Sequence, residues 1–348
     1  MEFSLGSKED IFHNLQQQGS YEWWYFDGIS TDSKYSFVFI FFVGIPMSPT
    51  YLESIQNDST PIPSFQNCGI SFNLYHKNKR IYTAFQEGLG TNSDYSSSCC
   101  EGRFGKNSFS YQQDKNAFCL SLDTELHDST TWIKGTVELI PHLNMKNTSV
   151  QYWKHLWNLV APRTSFSASI DIIEYNSTVL TTSFKGIGYH DHNCGVEPLY
   201  KHFSQWYWGN IHSEKQTIVF YDVHAFQDRN SEAVVTLSDD NNFEVLKVID
   251  VSYSDYRLSL MGIWYATRYT FHCENSKNES IIIKIRKIRI KEQGPFYLRF
   301  AISAELYCSG KKLNEFKGIS EYMEAQRLSK PWIRPFLRVP LKQAVHIL

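Results

Sequence analysis

The sequence predicts an all-β protein, folded as antiparallel barrels or sandwiches. Short runs of β-branched and aromatic residues recur along the chain, with polar turn signals between them. Several alternate strictly, as in Cys119-Leu120-Ser121-Leu122 and Gly135-Thr136-Val137-Glu138-Leu139. Aromatic residues make up 16% of the 348 positions, which suits pleated sheet and a ring-lined cavity. A β-rich core alone is the plainer explanation of the same number.

Residues 1–20 are polar and read as a loosely packed arm. Tyr21 to Asp27 is the first strand signal, Gly28 to Lys34 a turn, and Tyr35 to Val43 the returning strand of a hairpin. Residues 46–67 hold Pro46, Pro49, Pro61 and Pro63 among Ser, Thr and Asn, and read as a long loop of the kind that forms lids. Strands are expected at Gly69 to Tyr75, Arg80 to Phe85, Ser108 to Gln112, Ala117 to Asp123 and Thr131 to Ile140. Val150 to Leu159, with Trp153 and Trp157, reads as a short helix or an ordered loop. Ser165 to Glu174 and Ser177 to Phe184 form a strand pair. Beyond Asp222 the strand pattern resumes at Ala233 to Ser238, Phe243 to Tyr253, Thr267 to Cys273, Ile281 to Ile290 and Phe296 to Leu306. The run IIIKIRKIRI at 281–290 carries four basic residues and reads as a strand with one wet face. No RNA-binding motif accompanies it. Residues 326–348 read as a tail packed over the surface. Trp23-Trp24-Tyr25 and Trp206-Tyr207-Trp208 each precede a polar turn and an aromatic strand, an echo that suggests two versions of one unit.

A net charge of −2 gives no global pull towards nucleic acid or an anionic surface. The seven cysteines are odd in number and form no CxxC, so reduced thiols in a cytoplasmic protein are expected. Lys8, Glu9 and Asp10 interrupt the first fifteen residues, which speaks against a signal peptide. The most apolar run, Phe37 to Val43, is too short to span a bilayer as a helix.

The chain is organised around Gly188 to Asp222, where titratable groups stand beside many rings. If His190, Asp191 and His192 lie on a strand, the histidines share one face and Asp191 takes the other. Two imidazoles can begin a zinc site, but no third well-spaced ligand is evident, although Asp191, Glu197 and Asp222 are candidates. No metal is therefore expected. Acid catalysis by a carboxyl in an apolar pocket is the second reading, with Asp191 or Asp222 as the acid. The plainer alternative is a satisfied network in which His192, Asn193 and Glu197 bond turn backbone. Cys194 beside His192 suggests a thiol–imidazole pair, but strand neighbours point apart. GxSxG, GxxxxGK and GxGxxG are all missing, so a site without cofactor is the simplest expectation. Alternation also puts Glu22, Trp24 and Phe26 on one face and Trp23, Tyr25 and Asp27 on the other.

YEWWYFDG at 21–28, WNLVAP at 157–162 and GIGYHDHNCGVEPLYKHFSQWYWGNI at 186–211 resemble the carotenoid 1,2-hydratases (hydroxyneurosporene synthases), the CrtC-like branch of the lipocalin-like superfamily. PFYLRF at 295–300 and GISEY at 318–322 are similar to its later strands. The resemblance covers roughly residues 20–325. It implies two tandem lipocalin-like lobes around a hydrophobic pocket, here 21–182 and 183–325. By motif position it carries functional roles to His192, Phe220 and Asp222, with Asp191 nearby. Cys194 stands where the superfamily commonly has an aromatic residue, and Phe220 where the hydratases have Tyr.

The expected function is cofactor-independent hydration of a carotenoid or other isoprenoid alkene. Asp222 or Asp191 would protonate the double bond, and His190 and His192 complete the catalytic set, with water held by His192. Trp24, Trp206, Tyr207 and Trp208 would stabilise the cation, and Phe220, Tyr221, Glu22 and Asn193 would line the substrate. A cyclase or isomerase, in which carbon replaces water as the trap, is the alternative enzyme. A non-enzymatic carrier of hydrophobic ligands is the alternative outside enzymes, although a carrier has no need of an acid in its cavity. The partner is an apolar small molecule rather than nucleic acid, and its uptake implies peripheral contact with a membrane.

Overall fold

A computed structural model describes residues 1–56, 62–88, 92–125, 130–151, 153–175, 177–226 and 231–337. The chain divides into two compact units, Met1–Pro198 and Leu199–Leu337. The first contains β1 (Glu2–Leu5), β2 (Tyr21–Ser30), β3 (Tyr35–Val43), β4 (Cys68–His76), β5 (Lys79–Gly88), β6 (Ser93–Tyr95), β7 (Glu101–Phe104), β8 (Asn107–Gln112), β9 (Ala117–Glu125), β10 (Thr131–Pro141), β11 (His155–Glu174) and β12 (Ser177–Gly195). The second contains β13 (Phe203–His212), β14 (Gln216–Ala225), β15 (Ser231–Asp239), β16 (Phe243–Leu258), β17 (Trp264–Glu274), β18 (Ser280–Gln293), β19 (Tyr297–Cys308) and β20 (Lys311–Met323). The all-β architecture with two lobes is thus what the protein has.

In the first unit the sheet is open and runs β5-β4-β3-β2-β12-β11-β10-β9-β8-β7-β6, with β1 parallel to β11. Its core gathers Phe26, Phe39, Phe41, Phe72, Leu139 and Ile170, all fully buried. The hairpin expected at 21–43 is present as β2–β3. In the second unit β13 to β20 close into an eight-stranded barrel, sealed by β13 pairing with β20. Its interior holds Tyr207, Phe220, Tyr269, Phe271, Ile283 and Phe300. Gly209 is required where β13 faces β14, because a Cβ there would stand 2.5 Å from the Phe220 ring.

Several expectations change. Val150 to Leu159 is neither helix nor loop, since β11 begins at His155. Residues 155–164 are all buried, so the alternation that marks a half-exposed strand is missing there. It reappears after Thr164, which is why only the far halves of β11 and β12 read as a strand pair. The region 46–67 holds a helix, α1 (Pro49–Gln56), and a 3-10 turn at Ser64–Gln66. The arm is not loose: β1 joins the sheet, and Ser4, Asp10 and Ser20 are fully buried. The two units meet at 198/199 rather than 182/183, because β12 stays in the first sheet to Gly195. The tail begins with short turns at Pro331–Ile333 and Arg334–Leu337, and its remainder lies outside the described residues.

Candidate functional site

β12 sends its side chains to two faces, as alternation requires. On one, Asp191 accepts hydrogen bonds from Tyr189 Oη (2.7 Å) and Trp157 Nε1 (2.9 Å) at Oδ2, and from Asn193 Nδ2 (3.1 Å) at Oδ1. Both carboxylate oxygens of Asp191 are thus engaged by side chains of β11 and β12.

On the other face His190 and His192 meet the arm. His190 donates from Nδ1 to the Tyr25 carbonyl (3.0 Å), and its Nε2 lies 3.1 Å from Asp10 Oδ2. His192 donates from Nδ1 to the Glu9 carbonyl (2.7 Å), and its Nε2 stands 3.0 Å from Glu22 Oε1. With both Nδ1 atoms committed as donors, each Nε2–carboxylate contact needs one shared proton. His13 Nδ1 adds a 2.7 Å contact to Glu22 Oε1. Trp24 stacks on His192 at 4.5 Å and Phe26 on His190 at 4.0 Å. Burial acts to raise the Asp10 and Glu22 pKa values, but their imidazole partners outweigh it and hold both below the usual range. Burial acts to lower the His13 pKa, and Glu22 outweighs it, so His13 is raised.

The third ligand that spacing alone did not reveal is supplied twice, in Asp10–Cys100–His190 and His13–Glu22–His192, whose ligand atoms lie within 4.8 Å of one another. Burial pushes the Cys100 thiol well up, away from the thiolate a metal wants. His13 Nδ1 is hydrogen-bonded to Glu22 Oε1, whereas His192 Nε2 lies 3.0 Å from the same oxygen as a close ion-pair contact without hydrogen-bond geometry.

Asp222 belongs to the second unit, on β14. Phe220, Asp222 and His224 share the face that looks into the barrel, opposite Gly209 and Tyr207 of β13. Asp222 is fully buried. Its Oδ2 lies 3.1 Å from His224 Nε2, and its Oδ1 has no hydrogen-bond partner among the described residues. His224 lines a cavity of about 330 Å³ with Gln205, Tyr207, Tyr253, Trp264 and Tyr322. The Tyr207 ring lies 4.8 Å from Tyr253 and 4.6 Å from Tyr322. Trp206, Trp208 and Tyr221 take the opposite face of β13 and β14, with Trp206 edge-on to Tyr221 at 6.2 Å. The aromatic block therefore splits, and of its three rings only Tyr207 reaches the barrel interior.

Sequence reasoning placed the histidines and Asp222 correctly on their strand faces but missed Asp10, His13, Cys100 and His224. His224 had a signal, since it continues the parity of Phe220 and Asp222. The other three, Asp10, His13 and Cys100, come from segments outside the strands.

The carotenoid hydratase CrtC family matches residues 39–347. The chain is 28% identical over 339 residues to the hydroxyneurosporene dehydrogenase of Chlorobaculum tepidum, covering 93% of this chain and 87% of that protein. It is 24% identical to the acyclic carotenoid 1,2-hydratase of Thiocapsa roseopersicina, covering 83% of this chain and 65% of that protein. Among solved structures, CghA with Sch210972 superposes with a TM-score of 0.60 at 10% identity over 88% of each chain. A putative AttH from Nitrosomonas europaea does so at 0.55 and 11% identity, over 91% of this chain and 96% of that one. These two show the fold. The chain belongs to the carotenoid hydratase CrtC family.

Two predictions follow from the polar networks. Asp191→Asn removes a charged acceptor from three buried donors and should lower unfolding stability by about 2–5 kcal/mol, read from the urea midpoint, while activity per folded molecule holds. A loss of activity in a fully stable variant would give Asp191 a chemical role instead. For the His13–Glu22 pair, the stabilisation due to Glu22 is full above its ordinary 4.5 and fades as pH falls through its lowered pKa. That due to His13 is full below its ordinary 6.5 and fades as pH rises through its raised pKa. The stability advantage of wild type over His13→Gln should therefore peak between 4.5 and 6.5. A pH-independent advantage would mean that the pair is not ionic.

Proposed function

We propose, from this family membership and the barrel interior, that the protein hydrates a carbon–carbon double bond of a carotenoid or other isoprenoid, with Asp222 as the acid. The observation that carries the reading is a fully buried carboxyl whose Oδ1 has no hydrogen-bond partner among the described residues and whose Oδ2 meets the cavity histidine His224. In its protonated form Asp222 delivers its proton to the alkene, leaving a tertiary cation. The faces of Tyr207, Tyr253 and Tyr322 stabilise that charge. Water then adds to the cation, and its surplus proton returns to the Asp222 carboxylate. The sum is alkene plus water giving alcohol, which is redox-neutral and needs no electron carrier. We assign to His224 the water-holding role expected of His192, because His224 faces this cavity.

The cavity rim suits a substrate that arrives from lipid. Tyr256 and Trp264 line the cavity yet are 57% and 62% exposed, and Leu260 beside them is 88% exposed. Arg327 lines the cavity as well, paired with Glu324. Exposed aromatic and aliphatic side chains at such a rim suit the interfacial region of a bilayer. No helix among the described residues is long and apolar enough to cross a membrane.

Asp222→Asn keeps the shape but removes the acidic proton. It should cut turnover of an acyclic carotenoid by about 10²- to 10⁴-fold while leaving substrate binding nearly intact. Turnover in H₂¹⁸O should give a labelled alcohol, whereas an unlabelled isomer of equal mass would indicate cyclisation. A variant within about threefold of wild type would remove Asp222 from the role of acid. For the rim, Leu260→Ser with Trp264→Ser should weaken co-sedimentation with phosphatidylglycerol-containing vesicles by about tenfold or more. Unchanged partitioning would place lipid contact elsewhere.

A further inference from the structure

Ile281, Ile283, Ile285 and Lys287 alternate along β18, and all four are buried. The inward parity of the strand thus delivers an amine where a fourth aliphatic side chain belongs. The next residue, Ile288, is exposed, and the pairing with β19 shifts register between Lys287 and Arg289. Lys287 Nζ lies 4.0 Å from the centre of the Phe300 ring, 5.0 Å from Tyr207, 5.1 Å from Tyr265, 5.4 Å from Tyr269 and 5.6 Å from Tyr322. It has no hydrogen-bond partner among the described residues. Two of its rings, Tyr207 and Tyr322, also line the cavity. The cage thus shares two of its walls with a cavity large enough for a small molecule.

A buried amine without a partner is a costly feature for a core, because its lost hydrogen bonds to water are not replaced. Methionine would fill the same volume without that cost. Burial holds the Lys287 pKa well below the usual lysine range, a shift that favours the neutral amine. A neutral amine is a nucleophile for carbonyl carbon. The five rings supply the second requirement, because their faces stabilise a cation formed at the nitrogen.

We propose that Lys287 is a covalent binding site for an apolar aldehyde, held as a protonated imine inside the aromatic cage. The nitrogen lone pair attacks the carbonyl carbon and gives a carbinolamine. The hydroxyl leaves as water with one proton from nitrogen, and a proton from solvent completes the iminium. The sum is amine, aldehyde and one proton giving iminium and water. The proposal goes beyond alkene hydration and does not depend on Asp222 as an acid.

The test treats the full-length protein with citronellal, an isoprenoid aldehyde whose carbonyl is not conjugated to its double bond, and sodium cyanoborohydride at neutral pH, followed by peptide mapping. An exposed lysine is about 99.9% protonated there, so Lys287 should be alkylated at least about tenfold faster than surface lysines. The adduct should carry the mass of the aldehyde plus two hydrogens less one water. Lys287→Met, checked for folding by circular dichroism, should lose this rapid adduct, and Asp222→Asn should keep it. Geraniol, an alcohol of similar shape, should slow labelling by competing for the cavity. Labelling spread evenly over surface lysines, or a rapid adduct that survives in Lys287→Met, would overturn the proposal. Should Lys287→Met fail to fold, the position of the adduct in wild type and its sensitivity to geraniol decide the matter.

Discussion

A strand sends successive side chains to opposite faces, and β12 uses both for polar groups inside an apolar sheet. None of these groups can reach water, so each must be matched within the fold. Asp191 is matched on one side by Tyr189, Trp157 and Asn193. His190 and His192 are matched on the other by Asp10 and Glu22. Removing one partner from such a contact leaves a charge buried alone, at a cost of about 3–5 kcal/mol. This requirement explains why a polar N-terminal segment lies inside the first unit: it carries the groups that the β12 histidines need.

The second unit also buries polar groups. Asp222 Oδ1 and Lys287 Nζ lie inside the barrel without a hydrogen-bond partner among the described residues, as Asp10 Oδ1 and His192 Nε2 do in the first unit. In the proposed chemistry, such incomplete pairing leaves a group free to exchange a proton or form a bond. In both proposals the tyrosines of the barrel serve by presenting π faces to positive charge.

Much of this was legible in the sequence. The β class followed from alternation and turn signals, and the hairpin from Tyr21 to Val43 has the expected limits. The shared face of His190 and His192, with Asp191 opposite, followed from period two alone. So did the shared face of Phe220 and Asp222. The same rule held unused information: His224 continues the parity of Asp222, and Lys287 that of Ile285. Reading IIIKIRKIRI as one wet face missed that Lys287 is out of phase with Lys284 and Arg286.

Only the tertiary structure decided the rest. β11 is buried on both faces where it starts, so alternation cannot mark it, and its first residues passed for a helix or loop. Asp10 and the Glu9 carbonyl, which meet His190 and His192, come from the arm, about 180 residues away along the chain. No local pattern encodes a contact of that separation. The sequence by itself determined which side chains share a strand face, because backbone geometry fixes that residue by residue. Which faces are enclosed, and what meets them there, depends on how distant strands pair.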